Sequence, residues 1–282
     1  MTATGRYTQL GGLRARYLTW GDPARPAVLM LHGLRSYAGT WAPFAGELSA
    51  RYRIVAPDFR GRGGSAWDPV RDYYIRTYVA DLEELVAQLG LARFAIVGHS
   101  MGGAIGYVYA AAHPDQVTGL LAEDIGPGSS TSTPGAERVL REMASAPAGF
   151  DTLDTAADYW RQLRPGISDA ALASRMDHTI RRGTDGRWHW TLDMAGIAQA
   201  RLSGDPAGQL DLWACVDALR CPALVLRGEH TDFLPVATCE QMAARQPLLE
   251  WAEVPGAGHY AHDDNPEFFM AAVREFLDRI EG

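Results

Sequence analysis

The apolar positions of this chain fall into short unbroken runs separated by stretches of helical period. Residues 27–31 (Ala-Val-Leu-Met-Leu) are apolar throughout, as a strand covered on both faces requires. Similar runs recur at residues 53–56, 94–97, 119–122, 223–226 and 250–254. Residues 14–20 alternate instead, the pattern of a strand with one wet face. Between the runs, residues 78–89 set Val79, Leu82, Leu85, Val86 and Leu89 on one stripe, and residues 268–280 form another amphipathic helix. Residues 101–112 are small and apolar all round, which suits a helix buried against a sheet. Strand and helix in alternation predict an α/β fold whose sheet is mostly parallel, with helices on both sides.

The alternation breaks once. Residues 126–135 (Gly-Pro-Gly-Ser-Ser-Thr-Ser-Thr-Pro-Gly) are a turn-rich connector. From 136 to 216 the pattern is helical, over 136–145, 151–163 and 168–181, then an aromatic stretch at 187–190 and a further helix. Flanked by two predicted sheet strands, this block reads as an insertion over the C-terminal edge of the sheet, where ligands bind in open α/β folds.

Composition narrows the class. With 282 residues, 47% hydrophobic, the chain can bury a large core without staples. Its formal charge of −8 would repel a polyphosphate backbone, so no nucleic-acid partner is expected. Cys215, Cys221 and Cys239 are odd in number and lack Cys-x-x-Cys spacing, supporting neither a disulfide framework nor a zinc knuckle. No His/Asp/Glu cluster has ligand spacing, so neither metal nor cofactor is expected. The first ten residues lack the apolar core of a signal peptide, and no apolar run approaches the roughly 20 residues that span a bilayer. A cytoplasmic protein with a small-molecule substrate and no membrane partner is the expectation; oligomeric state is unreadable.

The strongest chemical signal is Phe94-Ala-Ile-Val-Gly98-His99-Ser100-Met101-Gly102-Gly103. A buried strand runs into Gly-x-Ser-x-Gly and then into a helix. Attack by a serine needs its hydroxyl held outside the sheet on a very sharp turn, and the flanking glycines leave room for that turn. The helix N-terminus also favours a developing oxyanion.

Five segments together resemble the lid-bearing α/β-hydrolase superfamily, in its serine esterase and lactonase-like branch. They are Leu31-His32-Gly33-Leu34, residues 57–65 (Pro-Asp-Phe-Arg-Gly-Arg-Gly-Gly-Ser), Gly98 to Gly103, residues 226–232 (Leu-Arg-Gly-Glu-His-Thr-Asp) and Pro255-Gly-Ala-Gly-His259. The resemblance spans nearly the whole chain. It implies a mostly parallel eight-stranded sheet flanked by helices, a core of residues 1–125 and 217–282, and a helical lid at 126–216.

A serine hydroxyl needs a base, and histidine titrates near working pH. Of eight histidines, His259 follows the last predicted strand, where the family's catalytic histidine sits. His99 reads as packing, His32 as a brace for its own loop and His113 as a helix cap. His178, His189, His230 and His262 are expected to face solvent or the lid. For the acid that orients the imidazole, Asp232 matches the family's usual position and the order Ser100, Asp232, His259 fits. Asp124, after the strand at 119–122, is the rival, because some resembling families draw their acid from there; Glu123 adjoins it. The resemblance assigns the oxyanion hole to the backbone N–H groups of Leu34 and Met101. Asp58 with the glycines to Ser65 fits no phosphate loop and reads as a braced turn. Candidate pocket walls are Arg35, Trp41, Tyr159, Trp160, Trp188, Trp190, Phe233 and Tyr260, with Arg35 placed where a cation could meet a substrate carboxylate.

Three functions remain in play. The favoured one is hydrolysis of a small carboxylic ester or lactone through an acyl-enzyme. A carbon–carbon bond hydrolase or acyltransferase would use the same nucleophile, although residues 32–36 lack the Ser-Gly-Pro-Gly-like loop that resembling ring-cleavage enzymes often carry. A non-catalytic small-ligand receptor on the same shell comes third, and a cofactor-independent oxygenase is more remote.

Overall fold

The computed structural model describes residues 2–281; Met1, which opens the N-terminal stretch read above, and Gly282 lie outside the described residues. The strands are β1 (Thr4–Leu10), β2 (Leu13–Trp20), β3 (Ala27–Leu31), β4 (Arg53–Pro57), β5 (Phe94–His99), β6 (Val117–Glu123), β7 (Gly149–Phe150), β8 (Ile180–Arg182), β9 (Trp188–Trp190), β10 (Ala223–Gly228) and β11 (Leu249–Val254). The helices are α1 (Ala42–Leu48), α2 (Ile75–Leu89), α3 (Met101–Ala112), α4 (Pro134–Ala144), α5 (Leu153–Leu163), α6 (Asp169–Thr179), α7 (Met194–Ser203), α8 (Leu212–Asp217), α9 (Val236–Arg245), α10 (Ala261–Asp264) and α11 (Pro266–Glu281). Eight strands form one sheet in the order β1-β2-β4-β3-β5-β6-β10-β11. Every pairing from β4 to β11 is parallel, and β2 alone runs opposite to the rest, antiparallel to both β1 and β4.

The apolar runs explain the two cores. In β3, Leu29 and Leu31 enter one hydrophobic cluster while Val28 and Met30 enter the other, so an unbroken run serves both faces of the sheet. On one face lie α2, α3, α8 and α9, represented by Leu82, Ile105, Val216 and Met242. On the other, α1 and α11 contribute Phe44 and Phe269. The cysteines are free, two of them buried, as small apolar side chains.

β1 was not foreseen from the pattern. Only Leu10 of its seven residues is buried, so no inward-facing alternation marks it, and its pairing to β2 is what orders it. The segment between β6 and β10 carries α4 to α8 but is not wholly helical. β7, β9 and β8 make a three-stranded antiparallel sheet, and the aromatic stretch at 187–190 is its middle strand. α8 returns to pack on α3 and α9.

Candidate active site

β5 delivers Ser100 to the sheet's edge on a turn that few residues tolerate. Ser100 has φ +51 and ψ −114, and its N–H donates to the Glu123 carbonyl at 2.9 Å. A Cβ on Gly98 would lie 2.5 Å from the Gly102 backbone, and one on Gly102 only 2.1 Å from the Leu31 carbonyl oxygen. Both glycines are therefore required by close backbone approach, which is the physical content of the motif.

His259, beyond β11, meets the serine: its Nε2 lies 3.0 Å from Ser100 Oγ. Its Nδ1 lies 2.7 Å from Oδ2 of Asp124. A carboxylate only accepts, so Nδ1 carries the hydrogen and Nε2 is free to accept the serine proton. Asp124 is itself held firmly. Oδ1 accepts from the Gly228 N–H at 3.1 Å, and Oδ2 also accepts from the Thr231 hydroxyl at 2.6 Å. Its φ of +50 turns the chain sharply at the end of β6.

The sequence expectation of Asp232 as His259's partner is therefore corrected. Asp232 is gripped from α4, with Arg138 Nε and Nη2 both 2.8 Å from its carboxylate oxygens. Its pKa lies below the usual carboxylate value, chiefly through these guanidinium bonds. Its carbonyl also accepts from the Gly135 N–H at 2.9 Å, tying the loop to the helix start. The loop after β10 still serves His259 indirectly, since Thr231 bonds Asp124 and Phe233 stacks 4.2 Å from the imidazole.

The loop of Leu34 is braced from below. His32 Nδ1 lies 2.8 Å from the Gly33 carbonyl oxygen, and its Nε2 accepts from the Phe59 N–H at 3.2 Å. That pairing needs a neutral ring, and burial first, then Arg62, lowers its pKa to about 3. Arg62, fully buried, donates Nε to the Leu34 carbonyl at 2.8 Å and lies 3.7 Å from the Met101 sulfur. One guanidinium thus touches both Leu34 and Met101, and the N–H of neither has a backbone acceptor among the described residues. Asp58 braces the preceding turn, accepting from the N–H groups of Ala38 at 2.7 Å and Gly64 at 3.0 Å.

A cavity of about 810 Å³ opens from Ser100 toward the inserted segment. Of the predicted walls, Arg35, Phe233 and Tyr260 line it. Trp41, Tyr159, Trp160, Trp188 and Trp190 do not. Trp41 is buried against Phe44, His262 and Phe269 below the sheet edge. Tyr159, Trp160 and Trp190 pack edge-to-face with one another, and Trp188 is in the small sheet. These aromatics hold the inserted segment together. The cavity wall comes from α2's Tyr78, α4's Val139 and α7's Ile197 and Arg201, none of which the sequence patterns singled out.

His262 also departs from expectation. It is buried, with Nδ1 2.8 Å from Glu123 Oε1, and its N–H donates to the same oxygen at 2.9 Å. Burial opposes its charge, yet Glu123 and Asp263 hold its pKa above the ordinary histidine value. His99 sits between, its Nε2 2.8 Å from the His259 carbonyl, and burial pushes its pKa well down. His99, Glu123 and His262 could between them offer ligand atoms to a metal, but the Glu123–His262 ion pair already accounts for the carboxylate.

The model of the alpha/beta hydrolase fold matches residues 26–266, and the chain belongs to this family. A 3-hydroxybutyrate-oligomer hydrolase of Cupriavidus necator is 32% identical over 267 residues, covering 87% of each chain. An α/β hydrolase of Novosphingobium aromaticivorans superposes with a TM-score of 0.84 at 32% identity over 98% of both chains. The structure of E-2-(acetamidomethylene)succinate hydrolase superposes with a TM-score of 0.85 at 25% identity, over 98% of this chain and 100% of that one. Among the described residues, no helix is long and apolar enough to cross a membrane.

Proposed function

We propose that the chain is a serine hydrolase of small carboxylic esters or lactones, working through an acyl-enzyme on Ser100. The observation that carries this reading is the pair of hydrogen bonds linking Asp124, His259 and Ser100, 2.7 and 3.0 Å long, with Ser100 and His259 both lining the cavity. His259 takes the Ser100 proton as Oγ bonds the carbonyl carbon. The N–H groups of Leu34 and Met101 hold the resulting oxyanion. His259 then passes the proton to the leaving oxygen as the carbon–oxygen bond breaks. A water, deprotonated by His259, attacks the acyl-serine and releases the acid. Asp124 holds the imidazole in the required tautomer and stabilises its cation. Residues 126–216 act as the cap that keeps bulk water from this exchange.

Several relatives named for a reaction are hydrolases, in keeping with water as the final acceptor, although one at 29% identity is named a putative synthase. A panel of nitrophenyl esters and simple lactones tests the reading. Wild type should turn over at least one class with saturation, and Ser100→Ala should abolish that turnover. Saturable binding of an ester that survives without turnover in wild type would make the protein a receptor instead.

A further inference from the structure

The cavity holds a cation without a counter-ion. Arg201, on α7, lines it together with Ala200 and with Ile197, which lies one helical turn earlier on the same face. Its single protein hydrogen bond runs from Nη2 to the Ser130 carbonyl at 2.5 Å. Nε is buried with no partner, Nη1 has none either, and Arg201 forms no ion pair among the described residues. Burial pulls its pKa down, as expected where no carboxylate compensates the desolvation.

The protein's own acids do not fill the gap. Asp205 and Asp211 also line the cavity. Asp205 faces Arg76 at 3.4 Å and accepts from its own loop's Ala207 N–H at 2.8 Å. Asp211 caps α8, accepting from Trp213 at 2.9 Å and Ala214 at 3.2 Å. Arg35, the cation suggested by the sequence, differs: Glu142 neutralises it at 2.5 Å. A half-buried guanidinium left without a carboxylate is costly unless a ligand supplies the charge, and guanidinium matches carboxylate geometry well.

We propose that Arg201 is a specificity-determining residue that binds a carboxylate of the substrate, so that the preferred ester is an anionic one carrying a free carboxylate away from its scissile bond. This rests on the ester-hydrolase reading above and deepens it. The carboxylate could belong to the acyl part, as in a dicarboxylic hemiester, or to the leaving part, as in an ester of a hydroxy acid.

The test compares kcat/KM for matched pairs. One arm sets nitrophenyl hemiesters of succinate, glutarate, adipate and suberate against neutral nitrophenyl esters of equal length. The other sets O-acetylated hydroxy acids against alkyl acetates of equal length. In at least one arm wild type should prefer the carboxylate-bearing member. Arg201→Gln should cut that preference ratio by about tenfold to a hundredfold, mainly in KM, as loss of a charge-assisted hydrogen bond does. Arg201→Lys should restore part of it. No preference in either arm, or a preference that Arg201→Gln leaves intact, overturns the proposal while the hydrolase reading stands. Should wild type turn over no ester at all, the hydrolase reading falls, and calorimetry with the free dicarboxylates on Ser100→Ala decides the inference. Saturable binding lost on adding Arg201→Gln upholds it, and absence of binding overturns it.

Discussion

β6 and β10 lie side by side at the sheet's C-terminal edge, and each leads to an aspartate within reach of the same active-site mouth. The side chain of Asp124 is 0% exposed and touches His259; that of Asp232 is 36% exposed and touches Arg138. Asp124 receives its bonds from one backbone N–H, one hydroxyl and one imidazole, so no fixed cation competes with the imidazole for its charge. Asp232 has surrendered both oxygens to a guanidinium fork. A carboxylate's position in the chain order therefore says less about its role than what already holds it. The two loops also cooperate, since the residue before Asp232, Thr231, donates its hydroxyl to Asp124.

The largest effects bear on what both aspartates surround. Ser100→Ala or His259→Ala should lower ester turnover about ten-thousandfold or more, measured as kcat/KM with a nitrophenyl ester. Asp124→Asn should cost about a thousandfold or more in kcat, because the imidazole loses both its tautomer and its counter-charge. Asp232→Asn should cost under about fivefold in kcat and lower Tm by only a few degrees, the loss expected of a half-exposed ion pair. Equal loss in the two variants would erase the distinction between the strands.

A smaller effect concerns the support beneath the site. Arg62→Gln should lower kcat about tenfold to a hundredfold with little change in KM if the N–H of Leu34, as proposed, holds the oxyanion. A KM effect alone would show that Arg62 shapes the cavity and not the oxyanion site.

The smallest effect is electrostatic and lies behind Ser100, His259 and Asp124. His262 is held above its ordinary pKa of 6.5, against burial, by Glu123 and Asp263. A raised folded pKa gives stability that is full below the unfolded value and lost as pH rises through the folded one. The Tm gap between wild type and Glu123→Gln should therefore be widest at acid pH and narrow as pH climbs past the histidine range. A gap that widens with pH would show that the pair acts only by packing.

What was legible in the chain follows from the range over which each signal acts. The elbow is largely local: a Cβ on Gly98 would meet the backbone of Gly102 in the next turn, so the motif announced Ser100 directly, although Gly102 itself answers to Leu31 on the neighbouring strand. The buried strands were legible because both faces of each are covered, whereas β1, an edge strand with one buried residue, left no such mark. The choice between Asp124 and Asp232 depends on Arg138, which reaches Asp232 only once α4 has docked across 94 positions of sequence. Likewise, the tryptophans predicted for the pocket are rich in apolar area, which packing elsewhere consumed: Trp160 and Trp190 against each other, Trp41 against Phe44 and Phe269. Arg201 carried no signal beyond its charge, because an absent partner becomes visible only in three dimensions.

Labelling with a fluorophosphonate, followed by intact-mass and peptide mass spectrometry, tests the central claim most directly. The account predicts one adduct on the Ser100 peptide, formed at the wild-type rate in Asp232→Asn and about a hundredfold or more slowly in Asp124→Asn. An adduct elsewhere, no adduct in wild type, or fast labelling in Asp124→Asn beside slow labelling in Asp232→Asn would contradict it.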